Sequence, residues 1–237
     1  MITAGRHRAP FLTCVMAATL FMAVPDRGSA LDLIDVQELV DESRLTFARF
    51  VKDPKMTWLR EHAKEAQGIF IAPEIDRLGY FIGAVRGKGV LLVKDQVTGL
   101  WSDPAFLTVT GATFGLQIGL ERAQVVALIM TKRGVQSFLG NHLILGTGIG
   151  LTVGPIGGGV GGATNPTLSA DMVTFANANG VFAGVALKGL LVTADEEADA
   201  LYYGRAIRSA DILTDPVGVT HWYSRRIRAT VGQENAR

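Results

Sequence analysis

The sequence predicts an α+β fold, with a mainly antiparallel, Gly-rich sheet of six or more strands flanked by N-terminal and C-terminal helices. Three observations carry this expectation. The chain is 48% hydrophobic with 28 Gly and only 8 Pro, a composition that favours a folded, sheet-rich domain over a disordered one. After the turn-forming pair Asn179-Gly180, Val181, Ala183, Val185 and Leu187 alternate with Phe182, Gly184, Ala186 and Lys188, the period of a strand. Helical spacing appears at both ends, at Val36, Val40, Phe47 and Phe50 and again in the acidic stretch after Thr193.

The first thirty residues stand apart. Arg6, His7 and Arg8 precede an apolar run from Phe11 to Val24, which Pro25 breaks before the small residues Gly28-Ser29-Ala30. A membrane-spanning helix needs about 20 apolar residues, more than this run holds. A secretory signal cleaved after Ala30 is therefore expected, with residues 31–237 as a single domain. Cys14, the one cysteine, lies inside the apolar run, so the processed chain carries no disulfide, thiol nucleophile or cysteine-ligated zinc. Without Arg6, Arg8, Arg27 and Asp26, the totals of 23 basic and 22 acidic residues become 20 and 21. The whole is nearly neutral, and any attraction to an anionic surface must come from local clusters.

Taken in order, Leu33 to Val51 reads as an amphipathic helix. Pro54 suits the first turn of a second, shorter helix running to about Gln67. Arg44, Arg49, Lys52, Lys55, Arg60 and Lys64 cluster here against Asp53 and Glu61. They form either a solvated helix face or a surface for anionic lipid headgroups, with Phe47, Phe50, Met56 or Trp58 dipping into the bilayer. A short strand follows Gly68, and the stretch from Tyr80 to Lys94 predicts a hairpin turning near Arg86-Gly87-Lys88-Gly89. Asp103-Pro104 marks a turn. Ala105 to Leu120 is uncharged, Glu121-Arg122 suggests a turn before a strand at Val125 to Met130, and Lys132 to Leu139 predicts a short helix. Asp171 to Asn177 pairs with Val181 to Lys188. Thr193 and Glu196 are spaced as a capping box, with Asp195, Glu196 and Glu197 favourable at a helix N-terminus. Helices at Arg205 to Leu213 and from Pro216 complete the chain, the last carrying Trp222, Tyr223 and a second basic cluster of Arg225, Arg226 and Arg228.

Leu143 to Ala163 is uncharged and dense in glycine. A glycine-zipper membrane helix, a phosphate cradle and a Gly-rich strand and loop all compete, and the last is preferred. Gly157, Gly159 and Gly162 satisfy G-x-G-x-x-G, but Ala-Thr-Asn-Pro166 follows, which is no helix start for a dinucleotide fold. His62, His142 and His221 are isolated in sequence, without zinc-ligand spacing. No G-x-S-x-G elbow occurs. The acids from Asp195 to Asp199 fit helix capping better than metal binding. No catalytic residue, metal ligand or cofactor is expected, and nothing points to nucleic acid.

Several motifs in order resemble the SYLF domain, a lipid-binding family. They are Gly180-Val-Phe-Ala-Gly184 with Gly189 and the Tyr202-Tyr203-Gly204 helix end, Trp101-Ser102-x-Pro104, and Gly115-Leu-Gln117-Ile-Gly119. Ala63-Lys64 with Gly68-Ile69, and Gly154-Pro155-Ile156-Gly157, add to the resemblance, which spans Ser43 to Arg228. Lys188 stands where many members carry an acid. The resemblance implies binding to anionic lipid, phosphoinositides in eukaryotic members, and actin binding in some of them. A secreted chain meets no actin, so that partner is not expected here. The expectation is a periplasmic or secreted, peripherally membrane-associated protein, not an enzyme, using Arg44, Arg49, Lys52, Lys55, Arg60 and Lys64. The rival expectation is a structural envelope protein that self-associates as a homo-oligomer through its Gly-rich sheet.

Overall fold

A computed structural model describes residues 31–79, 82–114, 119–140, 142–155, 170–178, 181–182, 187–215 and 221–234. The expected cleavage site, the Gly157–Gly162 pattern, the Asn179-Gly180 turn and most of the 183–188 strand expectation lie outside them. Residues 32–237 form one compact unit.

Helix α1 (Leu33–Lys52) begins where the sequence places it, because Asp32 and Asp35 cap each other's backbone amides reciprocally at 2.9 and 3.0 Å. Its apolar stripe of Val36, Val40, Phe47, Phe50 and Val51 is buried. Helix α2 (Thr57–His62) is shorter than expected and tightens into a 3-10 turn at Ala63–Glu65.

Four long antiparallel strands follow: β1 (Gly68–Gly79), β2 (Ile82–Val93), β3 (Ala105–Phe114) and β4 (Gly119–Ile129). Helix α3 (Lys132–Phe138) leads to β5 (His142–Ile144), β6 (Leu151–Val153), β7 (Met172–Ala178), β8 (Val181–Phe182) and β9 (Leu191–Ala194). The order across the sheet is β5-β9-β3-β2-β1-β4-β7-β6, with β8 pairing the far end of β7. Only β6–β7 is parallel among the described pairings. Helices α4 (Glu196–Tyr203), α5 (Ser209–Thr214) and α6 (Trp222–Glu234) close the chain. α1 packs on β1, β2 and β4 and against α6. The α+β expectation with helices at both ends holds.

Three local expectations are corrected. The glycines at 87 and 89 do not turn a hairpin; they lie within β2. β1 bulges around Pro73, where its register to both neighbours shifts. A Cβ at Gly89 would stand 2.5 Å from the Ile71 carbonyl oxygen, and one at Gly87 would stand 2.7 Å from that of Glu74. Glycine is needed there for close approach rather than for a turn. Glu121 and Arg122 do not mark a turn either. They lie in β4, where Arg122 reaches Asp76 at 2.9 Å and Glu74 at 3.3 Å. The capping box of Thr193 and Glu196 is absent, because β9 extends through Ala194. Asp195 is the N-cap instead, accepting from the Ala198 amide at 3.1 Å. The helix ends as expected at Gly204, whose φ of 67° is the left-handed cap that glycine favours.

Two buried carboxylates hold the ends of these elements. Asp171 accepts from Thr131 Oγ1, from the Arg133 guanidinium and from the Gly150 amide at 2.7 Å, joining α3 to the β6 and β7 edges. Arg133 holds this carboxyl down at about 2, Thr131 and Gly150 adding to the effect against the opposing pull of burial. Asp199, fully buried, accepts from the Phe106 amide at 2.9 Å and from Ser209 Oγ, fastening α4 and α5 to β3. Burial pushes its carboxyl from 3.8 up to about 7, with Asp195 and Glu196 adding to the rise.

The folded state therefore holds a proton on Asp199 that the unfolded chain releases near pH 3.8. This contribution is fully present below that pH and is lost as pH rises through about 7. Chemical denaturation across this range will show an Asp199-dependent decline in stability with rising pH. In Asp199→Asn the decline will be flatter, although the variant rearranges one hydrogen bond.

Candidate functional site

The Trp101-Ser102-Asp103-Pro104 stretch joins β2 to β3 and fixes the surface around it. A backbone bridge pairs Lys94 with Trp101. The Ser102 hydroxyl accepts from the Val93 amide at 3.0 Å and donates to the Asp103 carbonyl at 2.9 Å. The preceding turn is equally tied. Asp95 Oδ1 accepts from the Val97 and Thr98 amides and the Thr98 hydroxyl at 3.0, 2.6 and 2.7 Å. Gly99, at φ 71°, closes the turn. Hydrogen bonds from Thr98 lower the Asp95 carboxyl below the usual range, Val97 adding to them. Val97 and Leu100 are left 94% and 69% exposed on a well-braced loop.

The same stretch receives the C-terminal helices. Tyr203 donates from its hydroxyl to the Pro104 carbonyl at 2.7 Å. Tyr202 shares a hydrogen bond of 2.9 Å with Ser224 on α6, and its ring lies 5.2 Å from Phe106 and 4.6 Å from His221. Burial raises both tyrosine hydroxyls, Tyr202 to about 12. Asp103 is buried and lies 3.5 Å from the Arg228 guanidinium. Burial raises its carboxyl, while Arg228 and His221 oppose the rise. Asp103, His221 and Ser224 thus share a cluster, but Ser224 is fully buried and its hydroxyl is engaged by Tyr202. The arrangement presents no nucleophile to solvent.

Outside this cluster, Lys94, Gly99, Leu100, Trp101, Arg225, Arg228, Ala229 and Gly232 line an open groove of about 540 Å³. Lys94 donates to the Lys64 carbonyl at 3.1 Å and lies 5.9 Å from the Trp101 ring centre. Among the described residues no group of His, Cys, Asp or Glu could hold a metal ion. No described helix is long and apolar enough to cross a membrane.

The six basic residues expected at the site divide by environment. Arg44 pairs with Asp41 at 2.8 Å and is largely covered. Arg60 donates to the Val51 and Asp53 carbonyls at 2.8 and 3.4 Å, satisfying the end of α1. Arg49 donates to Thr46 Oγ1 at 3.0 Å while remaining exposed, and Lys52, Lys55 and Lys64 face solvent. Three of the four apolar residues expected to dip into a bilayer do not face it. Phe47, Phe50 and Met56 are core residues, at most 1% exposed, the first two because the apolar stripe of α1 packs on the sheet and Met56 at the N-cap of α2. Trp58 is half-buried and stacks on His62 at 4.0 Å. Lys94, Val97 and Leu100 were not singled out from sequence. The available signal was the Asp95–Gly99 turn directly before Trp101.

A profile of the family described as "Ysc84: Las17-binding protein actin regulator" matches residues 110–230. The chain belongs to the Ysc84 family. It is similar to "SH3 domain-containing YSC84-like protein 1" of Bos taurus and Homo sapiens, 31% identical over 150 residues, which is 63% of this chain and 43% of each relative. "Protein YSC84" of Saccharomyces cerevisiae is 28% identical over 159 residues, 66% of this chain and 34% of the relative. The chain thus covers less than half the length of these relatives, and the family's description names a binding protein and regulator. The Ysc84 match includes the Tyr202-Tyr203-Gly204 end of α4 and the start of α6, the elements that anchor the groove.

Replacing Tyr203 by Phe leaves the buried Pro104 carbonyl without its donor. Tyr203→Phe should cost about 1–2 kcal/mol in chemical denaturation. It should also raise amide exchange in the 94–104 segment more than in β1.

Proposed function

We propose that this chain is a non-catalytic, peripheral membrane protein of the cell envelope that binds anionic phospholipid headgroups through neighbouring basic faces. The observation that carries the reading is the α1–α6 contact. Asp41 on α1 lies between Arg44 at 2.8 Å and Arg226 of α6 at 3.4 Å. The two basic clusters, far apart in sequence, thereby stand on adjacent helices. Arg49, Lys52, Lys55 and Lys64 supply the free charge on one side, Arg225 on the other.

The leader-like first thirty residues support export and processing, which would place the domain against phosphatidylglycerol, cardiolipin or phosphatidic acid. Near an anionic leaflet each Lys or Arg contributes about 1 kcal/mol, so a few clustered cations suffice despite a nearly neutral whole. Las17 binding and actin regulation are named in the family's description and form no part of this reading.

Self-association is the second reading, and one observation favours it. Leu78 and Leu120, cross-strand neighbours, are 55% and 58% exposed. It requires an oligomer without vesicles and little effect of salt.

Co-sedimentation of residues 31–237 with neutral and anionic vesicles separates the two. The membrane reading expects binding to anionic vesicles alone, weakened by salt. It also expects a loss of at least about a hundredfold when Arg49, Lys52 and Lys55 are reversed to Glu. Equal binding to both vesicle types, or to neither, refutes it.

A further inference from the structure

We propose that the groove between the β2–β3 loop and α6 receives the phosphate of an anionic phospholipid headgroup, while Val97 and Leu100 enter the acyl boundary beside it. The inference rests on the membrane reading above and gives it a specific site.

Three cations from two separate elements border this groove: Lys94 from the end of β2, and Arg225 and Arg228 from α6. Each is positioned differently. Arg228 is braced from behind by buried Asp103 at 3.5 Å, which orients its guanidinium. Lys94 is tethered to the Lys64 carbonyl at 3.1 Å and retains further N–H donors. Arg225 is exposed, with no carboxylate partner among the described residues. One buried carboxylate against three cations leaves the groove net positive. Asp95, the nearest acid in the loop sequence, does not line the groove, and its Oδ1 is occupied by the Val97 and Thr98 donors.

The wall is kept open by small residues. A Cβ on Gly99 would meet nothing within 4 Å, and one on Gly232 would approach only Trp101, at 3.9 Å. The volume of about 540 Å³ lies in the range of small-ligand sites, ample for a phosphate and its glycerol ester. Trp101, only 7% exposed, lines the groove wall rather than projecting from it.

What distinguishes a lipid from a free phosphate is the loop itself. Val97 and Leu100 are exposed although the turn that carries them is braced by five hydrogen bonds, three to Asp95 Oδ1 and two backbone bonds, Asp95 N to the Leu100 carbonyl and Gly99 N to the Asp95 carbonyl. A rigid loop presenting two aliphatic side chains next to a cationic groove matches an interface with headgroups on one side and hydrocarbon on the other. A soluble phosphate would use the cations and leave the two side chains in water.

Trp101 makes the test local. In the full chain carrying Trp58→Phe and Trp222→Phe, Trp101 is the remaining tryptophan of three. Its emission is read with phosphatidylcholine vesicles, with the same vesicles containing phosphatidic acid, with brominated acyl chains, and with inorganic phosphate alone. The expected result is a spectral shift and bromine quenching on the anionic vesicles. Lys94→Ala and Arg225→Ala should each lower the anionic-to-neutral partition ratio about fivefold, the factor for one cation at a charged leaflet. Val97→Ser with Leu100→Ser should abolish the quenching. Circular dichroism confirms that these surface variants fold.

Inorganic phosphate alone producing the full Trp101 response would overturn the lipid assignment. An unchanged ratio in Lys94→Ala and Arg225→Ala, with a lowered one in Arg49→Ala and Lys52→Ala, would overturn the groove and leave the membrane reading standing. A wild-type chain with no preference for anionic vesicles would overturn both.

Discussion

The hydrogen bond from Tyr203 to the Pro104 carbonyl is the constraint on which the organisation of the surface depends. It fixes the end of α4 to the segment between β2 and β3. Asp199 does the same one turn earlier, through the Phe106 amide. Once α4 is held there, Tyr202 presents its hydroxyl to Ser224 and seats α6. α6 in turn brings Arg228 to Asp103 and Arg225 to the groove. Burying this cluster carries a cost, since burial shifts Asp103, Asp199, Tyr202 and Tyr203 toward their neutral forms. Such groups are tolerated inside when each finds hydrogen-bond or charge partners, and the partners here span three elements.

Charge is arranged by the same logic. Cations engaged by the fold, Arg44, Arg60 and Arg133, close helix ends or pair with carboxylates. Among the exposed cations with no carboxylate partner among the described residues, Arg49, Lys52, Lys55 and Lys64 cluster in the α1–α2 region and Arg225 lies on α6, while Lys132, Lys188 and Arg205 are scattered elsewhere. The near-neutral total conceals this local clustering. A bilayer responds to the local field within about one Debye length rather than to net charge, so a neutral protein can still present a cationic face.

Much of the fold was legible because local chemistry and global packing agree. The apolar stripe of Val36, Val40, Phe47 and Phe50 defines α1 without knowledge of anything else, and the cap that starts it, Asp32 with Asp35, is equally local though only the structure reveals it. Gly204 ends α4 for the same local reason. The misreadings occur where one residue type serves two purposes. Gly87 and Gly89 have turn chemistry, but the bulge at Pro73 is invisible from their own stretch of sequence. Glu121 and Arg122 look like punctuation, yet they lie in a strand where Arg122 finds Asp76 and Glu74 on the neighbouring strand. At the site, both basic clusters were legible as composition. Their adjacency was not, because it is set by Asp41 and Arg226, 185 residues apart. The reading in which Phe47, Phe50 and Met56 dip into a bilayer fails for a related reason: an apolar stripe looks the same in sequence whether it faces a sheet or a bilayer.

The central claim is that the β2–β3 loop end of the sheet, and not the opposite end, meets the membrane. Depth measurement by electron paramagnetic resonance addresses it directly. In residues 31–237, which hold no native cysteine, a nitroxide is placed at Val97→Cys or at Ala84→Cys, an exposed position at the far end of β2. The account predicts that on anionic vesicles the label at 97 becomes accessible to oxygen and shielded from a water-soluble nickel chelate, while the label at 84 remains in water. Immersion at 84 with 97 left in water would contradict it.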